Sequence, residues 1–256
     1  MRHAPRLLAI AIAACTAMSG CSGDDGATPS SPNTAGSEDD YTASDFSEDT
    51  VLPYKSGWLD APKALSGIGQ FDRLKGTIHD DAKCSTMVAI AAAVVGGEEK
   101  FLRLVDATER RRDGKSKDDT AIIARVRDHV AAQRLTPRDI HELTEVITRA
   151  YKVMYGAEDA QIAEMIRASG YAPVKVGSKV PSVLVDHLAE NEVVPLGTVA
   201  ENIPHITLIW KDARGTVRIY DSDDIHGSHV LPRGSAAYNT RVNAADSSWD
   251  LAEKYR

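Results

Sequence analysis

From Lys83 to Val95 apolar side chains fall on nearly every position: Met87, Val88 and Ile90, with alanines at 89, 91, 92 and 93. A helix that is apolar all round is a buried one. Alanine favours helix over strand, and Gly96-Gly97 supplies the stop. The pattern therefore predicts a buried central helix over Lys83–Val95. Glu98 to about Arg112 predicts a second helix, with Phe101, Leu102, Leu104 and Val105 on one face and acids in its first turn. After a polar connection over Asp113–Asp119, Ile122, Ile123, Val126 and Val130 mark an amphipathic helix from Asp119 to Gln133. Thr136-Pro137 is a helix start, a hydroxyl cap followed by proline at the first helical position. That helix carries Ile140, Leu143, Ile147, Tyr151 and Met154 toward Gly156. A further helix spans Ala160–Ala168 and closes at Gly170.

The period then changes. Pro173–Val176 reads as a short strand, Pro181–Glu190 as a short helix and Val193–Leu196 as a strand. Ile206–Trp210 and Val217–Tyr220 are rich in β-branched and aromatic residues and read as strands. Helices first and strands later indicate an α+β fold, with helices packed on an antiparallel sheet. There is no internal repeat.

The last two strands carry candidate chemistry. Ala213-Arg214-Gly215 suits a three-residue hairpin loop with glycine in the left-handed position. Asp212 then stands opposite Thr216, Thr207 opposite Asp221, and His205 opposite Asp223. Side chains alternate, so His205, Thr207, Asp221 and Asp223 share one face. A loop longer by two residues would set His205 opposite Asp221 instead, and a four-residue loop would part the two. A carboxylate beside an imidazole fixes its tautomer and leaves the other nitrogen to act as a base toward a thiol. Thiolates are favoured at helix N-termini and beside a protonated histidine, and Cys84 lies near the start of the buried helix. Cys84, His205 and Asp221 thus form a candidate triad, with Asp223 as the alternative acid.

Composition adds an address. Arg2, His3 and Arg6 open the chain with positive charge, and Leu7–Met18 is apolar but too short for a stable transmembrane helix. Met18-Ser19-Gly20-Cys21 resembles the lipobox of bacterial lipoproteins, in which the cysteine is lipidated and becomes the new N-terminus. A plain secretory signal with a chance cysteine is the simpler alternative. By the same resemblance, Ser22 after the cysteine favours the outer membrane over the inner. Residues 1–21 are then a lipoprotein signal peptide. Residues 22–50 are a flexible acidic linker whose composition buries too little apolar surface to offset its ordering entropy. Residues 51–256 are one folded domain. Removal of the signal takes Cys15 with it and lipid occupies Cys21, which leaves Cys84 as the only thiol of the mature chain. An odd cysteine in an exported protein is a flag for reactivity. The net charge of −7 argues against a nucleic-acid surface.

The order cysteine, histidine, aspartate resembles the papain-like cysteine peptidase superfamily, and within it the bacterial peptidases that remove double-glycine leader peptides. The residues carrying the likeness are Cys84 at the head of its helix, "VVPLGT" as a strand shortly before the histidine, and "HITLIW…VRIYD" as the two strands that follow. The resemblance implies a papain-like fold from Asp80 to Asp224. It also implies a thiol hydrolase acting on a peptide or isopeptide bond of a peptide or protein substrate, and no cofactor. A transglutaminase-like acyl transferase, or a catalytically inactive domain that binds in the envelope, are the other outcomes of the same layout. The superfamily usually has glutamine a few residues before the cysteine as an oxyanion donor. Ile78 stands in that region, and His79 or a backbone amide is the candidate substitute.

Other polar residues read more plainly. His129, His141 and His187 sit on amphipathic helices and are expected to face solvent. Arg110-Arg111-Arg112 reads as a solvated helix end. Asp221, Asp223, Asp224, His226 and His229 have ligand-type side chains, but their spacing matches no calcium or zinc motif, so a polar turn is expected and no metal. No phosphate loop, Gly-x-Ser-x-Gly elbow or Cys-x-x-Cys pair occurs.

Overall fold

The computed structural model describes residues 46–68, 83–112, 116–153, 159–171, 188–190, 192–200, 203–222, 228–232, 235 and 247–248. All of them belong to one compact unit. The expected strand over Pro173–Val176 lies outside the described residues, as does most of the expected helix over Pro181–Glu190. That helix's last three residues, 188–190, are not helical.

The chain enters through a two-strand hairpin, β1 (Tyr54–Lys55) and β2 (Trp58–Leu59), and a short helix α1 (Ala61–Ser66). Five helices follow: α2 (Lys83–Val95), α3 (Glu98–Arg111), α4 (Lys117–Ala131), α5 (Pro137–Ala150) and α6 (Asp159–Ala168). The second half forms strands β3 (Val193–Ala200), β4 (Ile203–Lys211), β5 (Val217–Tyr220), β6 (Ser228–Val230) and β7 (Ser247–Ser248). They make one sheet of order β6-β5-β4-β3-β7, antiparallel at every junction. The fold is α+β.

Every residue of α2 is buried. The helix packs on α3, α5 and α6 on one side and on β4 on the other. Its ends are held by different means. At the start, Lys83 Nζ lies 2.6 Å from Glu145 Oε1 of α5, and the Thr86 and Thr148 hydroxyls are 3.1 Å apart. At the finish, two carbonyls that already accept the Gly96 and Gly97 amides take a second bond each: Trp58 Nε1 donates to Val94 O (2.8 Å) and the Tyr171 hydroxyl to Ala92 O (2.8 Å). Burial pushes the Tyr171 phenol well above its ordinary range, so it stays a donor. Gly96 is required there, because a Cβ would fall 2.5 Å from that hydroxyl and 2.2 Å from Lys100 Cδ.

The other helix ends follow their expected chemistry. Ser116 caps α4 through the Asp119 amide. Thr136 and Asp139 form a reciprocal capping box at the start of α5, with Pro137 in the first turn. α5 stops at Ala150, short of the expected Gly156, and Lys152 just beyond it has φ +54°. α6 ends before Gly170 at φ +83°.

The core has two parts. The larger joins α2 and its neighbouring helices to Val193, Ile206, Leu208, Trp210 and Tyr220. The smaller lies on the other side of the sheet and gathers Leu188, Val194, Leu196, Ile209, Ile219 and Leu231. Alternation along β4 thus sends even-numbered residues toward α2 and Ile209 away from it. The packed chain begins before the expected Val51. Phe46 is buried in the larger core, and Arg138 of α5 binds Glu48 and Asp49.

Candidate functional site

Cys84 is the second residue of α2 and is 7% exposed, with its sulfur 3.9 Å from the Ser85 hydroxyl. It is not in a disulfide. Asp221 follows β5 directly and is 2% exposed. His205 is the third residue of β4, and its backbone stands opposite Thr198 of β3. His79, Asp223 and Cys21 lie outside the described residues.

The hairpin that carries these residues has the register expected from its loop. Leu208 pairs with Tyr220, Ile209 with Ile219, Trp210 with Arg218 and Lys211 with Val217. The Asp212 amide donates to Thr216 O (3.0 Å) and the Gly215 amide to Asp212 O (2.8 Å), with Gly215 at φ +78°. Continued one step outward, this register sets Thr207 opposite Asp221. Both are buried, and the Thr207 hydroxyl has no hydrogen-bond partner among the described residues.

The direction of α2 relative to the hairpin follows from what meets at its finish. Val94–Gly97 and the turn residues Asp212–Arg214 line one cavity. α2 packs along β4, so helix and strand both run toward that cavity. Their starts, with Cys84 and His205, point to the other end of the sheet. Asp221 belongs to that end too, since β5 runs back from the turn. The starts of α2 and β4 and Asp221 thus lie at one end of the sheet. Alternation separates faces at that end. Asp221 has the parity of Ile219, in the smaller core, whereas Tyr220 and, on β4, Ile206, Leu208 and Trp210 belong to the core that contains α2.

Two carboxylate centres appear elsewhere. Asp139 of α5, at 2% side-chain exposure, is 2.7 Å from His129 Nδ1 of α4 and accepts from Arg125 Nε at 3.1 Å. It also accepts from the Thr136 amide and hydroxyl, each at 2.9 Å. Burial alone would raise this carboxyl, but the bonds from His129, Thr136 and Arg125 outweigh it and hold the group below the ordinary carboxylate range. His129 is therefore not the solvent-facing residue expected from its helix; its side chain is 19% exposed and joins two helices. The arginine cluster is likewise more than a solvated helix end. Arg111 donates to Ala150 O (3.2 Å), pairs with Glu164 and stacks 4.6 Å over the Tyr151 ring.

The second centre is Asp212 in the β4–β5 turn. Its carboxylate accepts from the amides of Arg214 (2.9 Å) and Thr216 (3.0 Å) and from Arg218 Nε (2.7 Å). Burial raises this carboxyl and the Arg218, Thr216 and Arg214 bonds lower it further, for a net fall. Among the described residues there is no group of three or more histidine, cysteine, aspartate or glutamate side chains placed to hold a metal. Among the same residues no helix is long and apolar enough to cross a membrane. No family model, curated protein or solved structure matches this chain.

Proposed function

We propose that the chain is an exported, lipid-anchored envelope protein whose domain is a papain-like thiol hydrolase acting on a peptide or isopeptide bond. The observation that carries the reading is the shared direction of α2 and β4, which brings the start of the buried helix and the open end of the β4–β5 hairpin to the same end of the sheet. Cys84 Sγ attacks the carbonyl carbon and His205 accepts the thiol proton. Asp221 holds the imidazole in place through its second nitrogen. Collapse of the tetrahedral intermediate expels the amine, which takes that proton from His205. Water then cleaves the thioester and regenerates the thiol. Substrate is a peptide or protein in the envelope, and the N-terminal lipid on Cys21 keeps the domain at the membrane.

A thiol-reactive probe tests this. Stoichiometric labelling of Cys84 near pH 6, abolished in His205→Ala while the unfolding temperature is kept, supports the reading. Labelling no faster than that of a peptide thiol overturns it. Detergent phase partition checks the anchor: the chain enters the detergent phase, and Cys21→Ala returns it to the aqueous phase.

The parity of Asp221 favours a second reading. Counted on from Ile219, Asp221 belongs to the face turned from α2. The domain is then a catalytically silent, tethered binding module. Normal thiol reactivity together with retained ligand binding distinguishes this reading from the first.

A further inference from the structure

Three consecutive residues join the entry of the chain to one end of the sheet. Ser66 ends α1, and Gly67 and Ile68 lead out of it. Ser66 Oγ donates to Ser228 O of β6 (3.2 Å). The Tyr220 hydroxyl of β5 donates to Ile68 O (2.6 Å). Tyr220 and Ser228 stand opposite one another in the sheet, and Tyr220 directly precedes Asp221. Between the two bonded residues, Gly67 meets the segment that precedes β1. A Cβ there would fall 2.8 Å from Phe46 Cγ and 3.1 Å from Leu52 Cδ2. With no side chain in between, the Phe46 ring rests on the backbone of Gly67 itself.

Residues 46–52 are fastened by two kinds of contact. Phe46 and Leu52 are buried in the larger core. The Leu52 amide donates to Leu135 O (2.8 Å), and the Arg138 amide to Glu48 O (3.0 Å). The latter is a first-turn donor of α5 that no carbonyl of its own helix can reach. The remaining contacts are charged and open to water. Arg138 Nε and Nη2 bind Asp49 at 2.9 and 3.1 Å, and Nη2 lies 3.3 Å from Glu48 Oε2. Exposed pairs of this kind contribute little singly and are screened by salt. The chain preceding residue 46 joins the domain at this segment.

We infer that residues 46–52 are a regulatory strap. Seated, Phe46 fixes the Ser66–Ile68 turn, and through it the end of the sheet formed by Tyr220, Asp221 and Ser228. Lifted, it frees that end. The two states differ by one aromatic side chain in or out of its seat on Gly67, and a pull on the preceding chain favours the second. The bearing of the strap on catalysis rests on the hydrolase reading, since this end of the sheet carries Asp221. The coupling of strap to sheet does not.

Amide hydrogen exchange of the full chain tests the inference. Phe46→Ala should speed local opening at residues 64–68, 217–222 and 228–230 about tenfold more than across α3. Arg138→Gln touches no core residue and should give the same pattern at about twofold. It decides the matter should Phe46→Ala fail to fold. Tyr220→Phe removes the bond to Ile68 O. In that background either strap variant should still speed residues 64–68 and add nothing at 217–222. Equal acceleration everywhere, α3 included, would show a strap that only holds the fold together and would overturn the inference. Unchanged exchange at 217–222 would overturn it too, as would an undiminished response there in Tyr220→Phe. Exchange involves no thiol chemistry, and labelling of Cys84 involves no strap variant, so failure of one reading is distinguished from failure of the other.

Discussion

Asp139 and Asp212 are two nearly buried carboxylates that each accept from an arginine and from the backbone, two amides at Asp212 and one at Asp139, to which Asp139 adds the Thr136 hydroxyl and His129. They differ in what is left behind when the carboxylate goes. Asp139 joins two helices, and its partners Arg125 and His129 keep 38% and 19% of their side-chain surface in solvent. Asp212 closes a six-residue span within one hairpin, and Arg218 keeps 3%. A stranded cation at Asp139 can turn to water, while one at Asp212 cannot. The local site, with fewer elements to join, is therefore the more costly to break.

The largest expected effect comes from Asp212→Ala. It takes the carboxylate away from a buried guanidinium, a change that costs about 3–5 kcal/mol, and should appear as a large drop in the denaturant midpoint. The double variant Asp212→Leu/Arg218→Met should recover most of that loss, since replacing both members of a buried pair by apolar groups is close to neutral. Failure to recover would show that the two turn amides, and not the arginine, carry the cost.

Asp139→Ala should cost about 1–3 kcal/mol, the range for a lost charged hydrogen-bond partner together with a helix cap. Chemical denaturation of the two single variants side by side decides the ranking; a larger effect at Asp139 would reverse it.

Acid should sharpen the comparison without mutation. Both carboxyls are held below their ordinary range in the folded chain. The unfolded chain therefore binds protons more readily, and the stabilisation is present above the ordinary carboxylate pKa of about 4. It is lost as pH falls from there through the folded values. The midpoint should hold from pH 7 to about 5 and decline below about 4, and Asp139→Asn/Asp212→Asn should flatten that decline. The smallest effect belongs to Gly215→Ala, which forces a Cβ into left-handed backbone at φ +78° with open space around it. A loss of about 1 kcal/mol is expected there, from conformation alone.

Much of this frame could be read from the chain because the signals are local. The α2 limits follow from an unbroken apolar run and two glycines. The α5 start follows from a threonine and the proline after it. The β4–β5 register follows from the length of one loop. What escaped needed two elements to meet. His129 and Asp139 are ten residues apart on separate helices, and only the packing of α4 on α5 turns a helix-surface histidine into a clasp. Phe46 stands alone in an acidic run and reads as linker until the core receives it. The cavity is assembled from four separate stretches, none with a motif of its own. At the candidate triad, the register of the hairpin was legible. The side of the sheet toward which α2 would pack was not, because strand alternation alone does not say which face meets a helix.

The alanines of α2 have a consequence beyond filling the interior. Helix axes packed on one another lie about 8–10 Å apart, at a distance set by the side chains between them. With Ala89, Ala91, Ala92 and Ala93 all fully enclosed, α2 acts as a thin spacer that lets the helical layer and the sheet come close on both sides at once. Its tolerance of change is then one-sided in size. Enlarging Ala92 to valine has no direction in which to relax, and the added bulk would be transmitted as a separation of layers at both ends of the helix.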